Sequence, residues 1–171
     1  GYGLSYTTFE IQNASVKKEQ TNLLKVSMSV KNTGAVAGKE VVQAYASLPG
    51  GSMEKEAHRL IAYAKTELLQ PGEAQSITLE IPAECLISYD EKKAAWVLEK
   101  GFYGIFLGNS LESANLTFGL QLDQDAVLEK VKNLFPLKDA LKELEQPAGA
   151  TCKREAVQLR LPGQSSFRFW N

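Results

Sequence analysis

Paired carboxylates are the side chains of this sequence with the clearest chemical potential. One carboxylic acid can protonate a leaving group while a second carboxylate acts as base or nucleophile, so two acids held together can drive a hydrolysis. Asp and Glu together number 20, so close pairs are expected by chance. The candidate pairs are Asp90 with Glu91, Glu54 with Glu56, and Asp123 with Asp125.

A structural role explains each of these pairs better than a catalytic one. Asp90 and Glu91 are adjacent, and adjacent residues of a strand point to opposite faces. Glu54 and Glu56 lie in a charged segment that we expect to be a solvated loop. Asp123 and Asp125 stand where a helix is predicted to begin, a place that favours acidic residues. We therefore expect no catalytic residues among them.

The single histidine, His58, and the two cysteines, Cys85 and Cys152, offer little further chemistry. A Ser-His-Asp triad could be built only around His58, and no G-x-S-x-G motif occurs. A zinc site would need all three side chains to converge with a fourth ligand, and their spacing shows no ligand pattern. The sequence predicts no metal site and no cofactor.

Charge and hydropathy exclude two classes of partner. The formal net charge is −1, whereas a nucleic-acid binder carries a basic surplus. No apolar run is long enough for a helix that crosses a bilayer, so we expect no membrane partner. The chain begins with Gly1 and shows no signal peptide, so we expect a piece of a longer protein whose compartment the sequence does not indicate.

Alternating hydropathy predicts an all-β fold. Residues 24–30 alternate between apolar and polar types, as in a strand with one buried face. We predict about seven or eight short strands before residue 122, arranged as an immunoglobulin-like antiparallel sandwich. Asn32 and Gly34 are predicted to turn the chain with positive φ angles, and Pro71-Gly72 is predicted to form a second turn.

The period changes after residue 122. Asp125 is predicted to cap a helix that continues to about Glu145, and its stripe is Val127, Leu128, Val131, Leu134 and Phe135. Residues 157–161 alternate again, as an extended segment would. The predicted organisation is a sandwich domain over residues 1–122 and a helical and extended tail, or interdomain linker, over residues 123–171.

Ordered sequence blocks carry a resemblance to a known family. The first is Gly1-Tyr2-Gly3-Leu4-Ser5-Tyr6-Thr7-Thr8-Phe9, and the second is Val30-Lys31-Asn32-Thr33-Gly34 leading to Ala37-Gly38-Lys39-Glu40-Val41-Val42-Gln43-Ala44-Tyr45. The third is Leu60 to Leu69 with Pro71-Gly72-Glu73, and the fourth is Leu86 to Asp90, Trp96, and Gly101-Phe102-Tyr103 to Leu107-Gly108-Asn109-Ser110. Together they resemble the fibronectin type III-like domain of glycoside hydrolase family three, the β-glucosidases and β-xylosidases. The resemblance covers residues 1 to about 122, and the tail continues beyond the common family pattern.

The resemblance implies a role in a larger hydrolase. It implies that the chain is a non-catalytic domain that braces the catalytic domains of the same polypeptide, with a homodimer mate as a further candidate partner. Tyr2, Tyr6 and Phe9 would then contact the neighbouring catalytic domain. Trp96 stands where the family places a structural tryptophan.

Two alternative functions stay open, and the remaining aromatic residues bear on the first of them. Those inside predicted strands are expected to pack in the core: Tyr45, Phe102, Tyr103, Phe106 and Phe118. Phe167, Phe169 and Trp170 are the candidates for exposed rings. Exposed rings would suit a carbohydrate-binding module, which is the first alternative. A free-standing immunoglobulin-like adhesion domain is the second, and only the fold class favours it.

Overall fold

The structure, a computed structural model, describes residues 5–20, 22–132, 156–160 and 166–170, the last two ranges as strand backbone. These residues form antiparallel strands joined by turns and one short 3₁₀ helix (Ala83–Leu86). The strands are β1 (Phe9–Gln20), β2 (Leu23–Asn32), β3 (Val41–Ser47), β4 (Arg59–Lys65), β5 (Ala74–Pro82), β6 (Ser88–Asp90), β7 (Ala95–Leu98), β8 (Gly101–Gly108), β9 (Asn115–Leu122), β10 (Ala126–Lys130), β11 (Ala156–Arg160) and β12 (Ser166–Trp170).

Two sheets enclose one core, as the predicted sandwich requires. Sheet I has the order β1-β2-β5, and sheet II has the order β11-β12-β9-β8-β3-β4. A third, smaller sheet, sheet III, has the order β10-β7-β6. Buried side chains from β2 and β5 meet those from β3, β8 and β9 in a single cluster. The prediction of an all-β antiparallel sandwich is confirmed.

The alternation read from residues 24–30 is present in β2. Leu24, Val26, Met28 and Val30 are buried, and the residues between them are partly exposed. β5 pairs with β2 so that Met28 lies opposite Ile77 and Val26 lies opposite Leu79. The period of two therefore determines which face of sheet I meets the core.

The turn at Pro71-Gly72 has the predicted form. Gly72 has φ +81, which a glycine adopts without steric cost, and the Glu73 amide donates to the Gln70 carbonyl at 2.9 Å. The explanation predicted for Asn32 and Gly34 is wrong, since the backbone there has no positive φ. A Cβ on Gly34 would lie 2.2 Å from Oγ1 of Thr7, so the glycine allows two chain segments to approach closely.

Asn32 ties these segments together from a fully buried position. Its Oδ1 accepts hydrogen bonds from Oγ1 of Thr7 at 2.8 Å and from the Gly34 amide at 3.0 Å. Its Nδ2 donates to the carbonyls of Val36 and Leu69, both at 2.9 Å. Every polar atom of the Asn32 side chain has a hydrogen-bond partner. The Asn-Thr-Gly motif therefore has a structural role, which is to join the segment before β1 to the loops that follow β2 and β4.

The helix predicted from Asp125 is wrong where the structure describes it. Residues 126–130 form β10, which pairs with β7 through Ala126 opposite Leu98. The Asp125 carboxylate accepts a hydrogen bond from the Lys100 amide at 2.9 Å instead of capping a helix. The edge of β7 supplies backbone partners that outweigh local helix propensity. The rest of the predicted helix, from Leu134 to Glu145, lies outside the described residues.

The extended part of the tail lies on sheet II. β12 pairs with β9, with Phe167 opposite Leu122 and Trp170 opposite Gly119, and β11 pairs with β12. The division of the chain at residue 122 stays a prediction. Among the described residues no helix is both long and apolar enough to span a membrane.

Candidate interdomain surface

One member of each candidate carboxylate pair is held by contacts within the domain: Asp90, Glu56 and Asp125. Asp90, the last residue of β6, is buried and accepts hydrogen bonds from the amides of Lys92 at 3.0 Å and Lys93 at 3.1 Å in the following turn. The Lys93 ammonium lies 3.3 Å from Asp90 and 3.3 Å from Asp125. Burial raises the pKa of Asp90, but these contacts outweigh it, and the net pKa is lowered. Glu91 and Asp123 are exposed.

Glu56 is also held in an ion pair. It contacts the Arg59 guanidinium, which lowers the pKa of Glu56. Arg59 in turn donates to the carbonyl of Ile87 at 2.6 Å, which joins the loop before β4 to the segment before β6. Glu54 is exposed.

The segment around residues 49–58 is not a uniformly solvated loop, which corrects the sequence prediction. Lys55 is 3% exposed and Glu99 is 5% exposed, and the two form an ion pair. The Lys55 ammonium also donates to the Pro49 carbonyl at 3.0 Å, and Glu99 accepts from the amide and hydroxyl of Ser52, both at 2.8 Å. A Cβ on Gly51 would lie 2.3 Å from the Glu99 carboxylate, so the loop closes directly over it.

The balance of burial and hydrogen bonding keeps Glu99 ionised. Burial raises the pKa of Glu99, whereas the Lys55 ammonium and the two Ser52 donors lower it. The lowering is the larger effect, so the net pKa of Glu99 is lowered. The neighbouring Tyr103 hydroxyl donates to the Glu99 carbonyl at 2.7 Å, and burial raises the pKa of Tyr103 far above its usual range. Sequence reasoning missed this pair because nothing in the sequence links positions 55 and 99.

The outer face of sheet II, which points away from the core, carries aromatic residues. Val42, Ala44 and Ala46 of β3 point into the core, so Tyr45 between them points outward. The prediction that Tyr45, Phe102 and Phe106 pack in the core is wrong, whereas Tyr103 and Phe118 are buried as predicted. We call this surface the aromatic face: Tyr45, Leu60, Tyr63, Phe102, Phe106 and Leu116.

Glycine residues shape the aromatic face. A Cβ on Gly104 would lie 2.8 Å from Oγ of Ser47, 2.9 Å from Leu116 and 3.1 Å from Phe106. The missing side chain therefore lets the neighbouring rings and methyl groups lie across the strand. His58 stands edge-on against Phe106 at 5.1 Å between ring centroids and 80° between planes.

Two exposed residues mark the edge of the aromatic face. On the edge strand β4, Leu60 is 49% exposed and Tyr63 is 71% exposed. Tyr63 lies opposite Gln43 and Leu60 lies opposite Tyr45 in the strand register. Large apolar side chains thus continue to the solvent-exposed edge of sheet II.

The outer face of sheet I has the opposite character. Lys25 contacts Glu80 at 3.1 Å, and the hydroxyls of Ser27 and Thr78 are hydrogen bonded at 2.9 Å. We call this surface the polar face: Lys25, Ser27, Ser29, Lys31, Ser76, Thr78 and Glu80. It is the solvated side of an antiparallel sheet.

Two of the three residues predicted for interdomain contact, Tyr6 and Phe9, are described by the structure, and they differ in burial. Tyr6 is 97% exposed, whereas Phe9 packs partly buried against the core. Tyr2 and the side chains of Phe167, Phe169 and Trp170 lie outside the described parts of the structure. Trp96 is 38% exposed and lies against the Tyr89 ring at 5.4 Å.

His58 and Cys85 do not meet to form a reactive site. His58 is exposed beside Phe106, and burial raises the pKa of the half-buried Cys85 thiol. Cys152 lies outside the described residues. Over residues 5–20 and 22–132, no three side chains of His, Cys, Asp or Glu come together to hold a metal ion.

Comparison with known proteins relates part of the chain to a described domain type. Residues 40–111 match the family model of the fibronectin type III-like domain. Solved structures with the same fold include a β-glucosidase from Paenibacillus barengoltzii, with TM-score 0.69 and 37% identity over 77% of this chain and 16% of that one. Another is β-glucosidase 3B from Thermotoga neapolitana, with TM-score 0.68 and 38% identity over 75% of this chain and 18% of that one.

Curated relatives give the same result and also show a difference in length. β-Glucosidase A of Butyrivibrio fibrisolvens is 42% identical over 152 residues, which is 78% of this chain and 18% of the relative. A β-glucosidase of Ruminococcus albus is 39% identical over 77% of this chain and 14% of the relative. The chain therefore spans less than a fifth of the length of these relatives.

Proposed function

Since the chain carries a fibronectin type III-like domain of glycoside hydrolase family three, the type that its β-glucosidase relatives contain, we propose that it braces the catalytic domains of a longer glycosidase and performs no catalysis itself. The difference in length from its relatives carries this proposal: the matched region is 18% of the Butyrivibrio enzyme. The remainder of such an enzyme is large enough to hold the active site.

The arrangement of the carboxylates supports a bracing role. Hydrolysis of a glycosidic bond needs two carboxyl groups facing one another across the bond, about 5–5.5 Å apart in retaining enzymes and further apart in inverting ones. In this domain Asp90 and Asp125 share Lys93, Glu56 contacts Arg59, and Glu99 contacts Lys55. These contacts fix loops and turns around the sandwich.

The proposed partners are the catalytic domains of the same polypeptide. Tyr6 is a proposed contact because it is almost fully exposed and belongs to the amino-terminal block of the resemblance. Interfaces between domains of one chain bury about 600–1,500 Å². A homodimer mate stays a prediction.

An activity assay tests the proposal. The purified 171-residue chain is incubated with an aryl β-glucoside, and we expect no turnover above a blank that contains buffer alone. The positive control is a chimera in which this chain replaces the corresponding segment of the Butyrivibrio β-glucosidase, and we expect that chimera to hydrolyse the substrate. Turnover by the chain alone, retained through successive purification steps, would disprove the proposal.

A further inference from the structure

We propose that the aromatic face is the surface on which the catalytic part of the same polypeptide docks, an inference that rests on the proposed function. The partner surface is apolar and uncharged where it meets Tyr45, Phe106 and Leu116. The edge residues Leu60 and Tyr63 lie at the margin of the contact.

The composition of the aromatic face is the first argument. A sheet face that meets only water is normally polar, as the polar face of sheet I is. The aromatic face has six large apolar side chains, and the charged Lys65 lies at its edge, two residues beyond Tyr63 on β4. Aromatic side chains at the centre with charged ones at the rim are typical of a protein interface.

The second argument is that the side chains of the aromatic face are already held in place by their neighbours. The Tyr45 hydroxyl donates to Gln43, whose Nε2 donates to the Asn109 carbonyl at 2.8 Å. The rings of His58 and Phe106 pack in a T-shaped pair, and Gly104 leaves room for Leu116 to lie beside it. Side chains that are already ordered lose little conformational entropy on docking, so a pre-formed surface binds more strongly.

The occupant follows from the chain lengths and from the geometry of the rings. More than four-fifths of the Butyrivibrio and Ruminococcus relatives lies outside the region that this chain matches, so a large covalently linked partner is available. Covalent linkage raises the effective concentration of such a partner. Sugar-binding surfaces present several open rings, but here Tyr45, Phe102 and Phe106 are half-buried, Phe106 also pairs with His58, and Tyr63 is the ring of this face that is mostly exposed. These observations favour a protein surface over a glucan.

Cysteine labelling at two matched positions tests the proposal. Tyr63→Cys places a thiol on the aromatic face, and Glu80→Cys places one on the polar face as the control. Both are made in a Cys85→Ser, Cys152→Ser background. Each variant is prepared as the 171-residue chain and within the Butyrivibrio chimera, and maleimide labelling rates are read peptide by peptide by mass spectrometry.

We expect labelling at position 63 to be at least about tenfold slower in the chimera than in the chain, because docking removes the thiol from solvent. Labelling at position 80 should change by less than about twofold. If the chimera does not fold, the 171-residue variants are instead mixed with the Butyrivibrio polypeptide lacking the matched segment, and slower labelling at position 63 alone is again expected.

Several outcomes would overturn the inference. Unchanged labelling at position 63 in an active chimera, or slower labelling at position 80 instead, would place the contact elsewhere while leaving the bracing function intact. Protection at position 63 in the chain alone would assign the face to a second copy if it grew with chain concentration, or to a glucan if it needed added laminarin. Turnover by the chain alone would remove the proposed function and would be seen in the activity assay, independently of the labelling.

Discussion

The two outer faces of the sandwich belong to one small domain but differ in chemistry. The polar face of sheet I carries lysines, serines, a threonine and a glutamate, and its ion pair, Lys25 with Glu80, is exposed to solvent. The outer face of sheet II carries rings and glycines, and the ion pair formed by the loop after β3, Lys55 with Glu99, is buried. The outer face of sheet I is therefore suited to contact with solvent, whereas the outer face of sheet II is suited to contact with another protein surface.

The difference between the two outer faces shows that burial within the domain does not explain every apolar residue of the sequence. Tyr103 and Phe118 serve the core, whereas Tyr45 and Phe106 lie on the opposite side of the same sheet. A domain that acts alone gains nothing from an aromatic outer face, because exposed apolar patches promote association. A domain fixed within a larger enzyme can use one.

The largest expected effect comes from breaking the buried ion pair. Lys55→Met leaves the Glu99 carboxylate buried without its ammonium partner, and we expect a loss of about 3–5 kcal/mol in the free energy of unfolding. Lys25→Met is the matched control on the polar face, and we expect a change within about 1 kcal/mol because that pair is exposed. Urea unfolding of both variants measures the difference. Equal losses would contradict the contrast between the two pairs.

A smaller effect is expected from filling the space above Gly104. Gly104→Val forces a side chain against Ser47, Leu116 and Phe106, and we expect a loss of about 1–3 kcal/mol from overpacking. Ser76→Val on the polar face meets open solvent, so its effect on stability should be within about 0.5 kcal/mol. Thermal and urea unfolding compare the two. If Gly104→Val is tolerated as well as Ser76→Val, the aromatic face is less closely packed than described.

Acid should destabilise the folded domain through Glu99. The pKa of Glu99 is lowered in the folded chain, so this group contributes stability above its ordinary pKa near 4.5 and loses that contribution as the pH falls through the folded value. We expect the melting temperature to fall between pH 5 and pH 3. Glu56, Asp90 and Asp125 contribute in the same direction, since their pKa values are also lowered.

Glu99→Gln separates the Glu99 contribution from those of Glu56 and the two aspartates. The variant is less stable near neutral pH because Lys55 loses its charged partner, but its melting temperature should change less between pH 5 and pH 3 than that of the unaltered chain. An identical pH dependence in both proteins would mean that Glu99 is not held ionised by Lys55.

The smallest effect on stability is expected at the exposed edge of the aromatic face. Tyr63→Ser removes a ring that is mostly in water, so unfolding should change by less than about 0.5 kcal/mol. Binding of the dye ANS to the folded 171-residue chain should decrease, because the exposed apolar area decreases. Glu80→Ser is the control and should leave dye binding unchanged. An unchanged signal for Tyr63→Ser would argue against an accessible apolar face.

Much of the fold could be predicted because the information is local. The alternation in residues 24–30 specifies both the strand and its buried side, since a shift of one residue would expose every apolar side chain. Pro71-Gly72 specifies a turn because only glycine adopts its φ angle without strain. The ordered sequence blocks identified the domain type that comparison with known proteins then confirmed.

The candidate surface could be predicted only in part. The strands β3 and β8 are apolar on both sides, so alternation does not tell which side faces the core. One signal was available: Phe102, Gly104, Phe106 and Gly108 share a face, and a row of glycines is a poor choice for filling a core. Sequence reasoning used the aromatic residues and overlooked the glycines between them.

Other features depend on residues that are distant along the chain. The open edge of β7 makes residues 126–130 a strand although their spacing suits a helix. The meeting of Lys55 with Glu99 and the approach of Thr7 to Gly34 are contacts over 44 and 27 positions of sequence. Hydropathy and turn chemistry act between neighbours and could be read directly, whereas backbone pairing, close approach and buried charge exist only once the sheets have assembled.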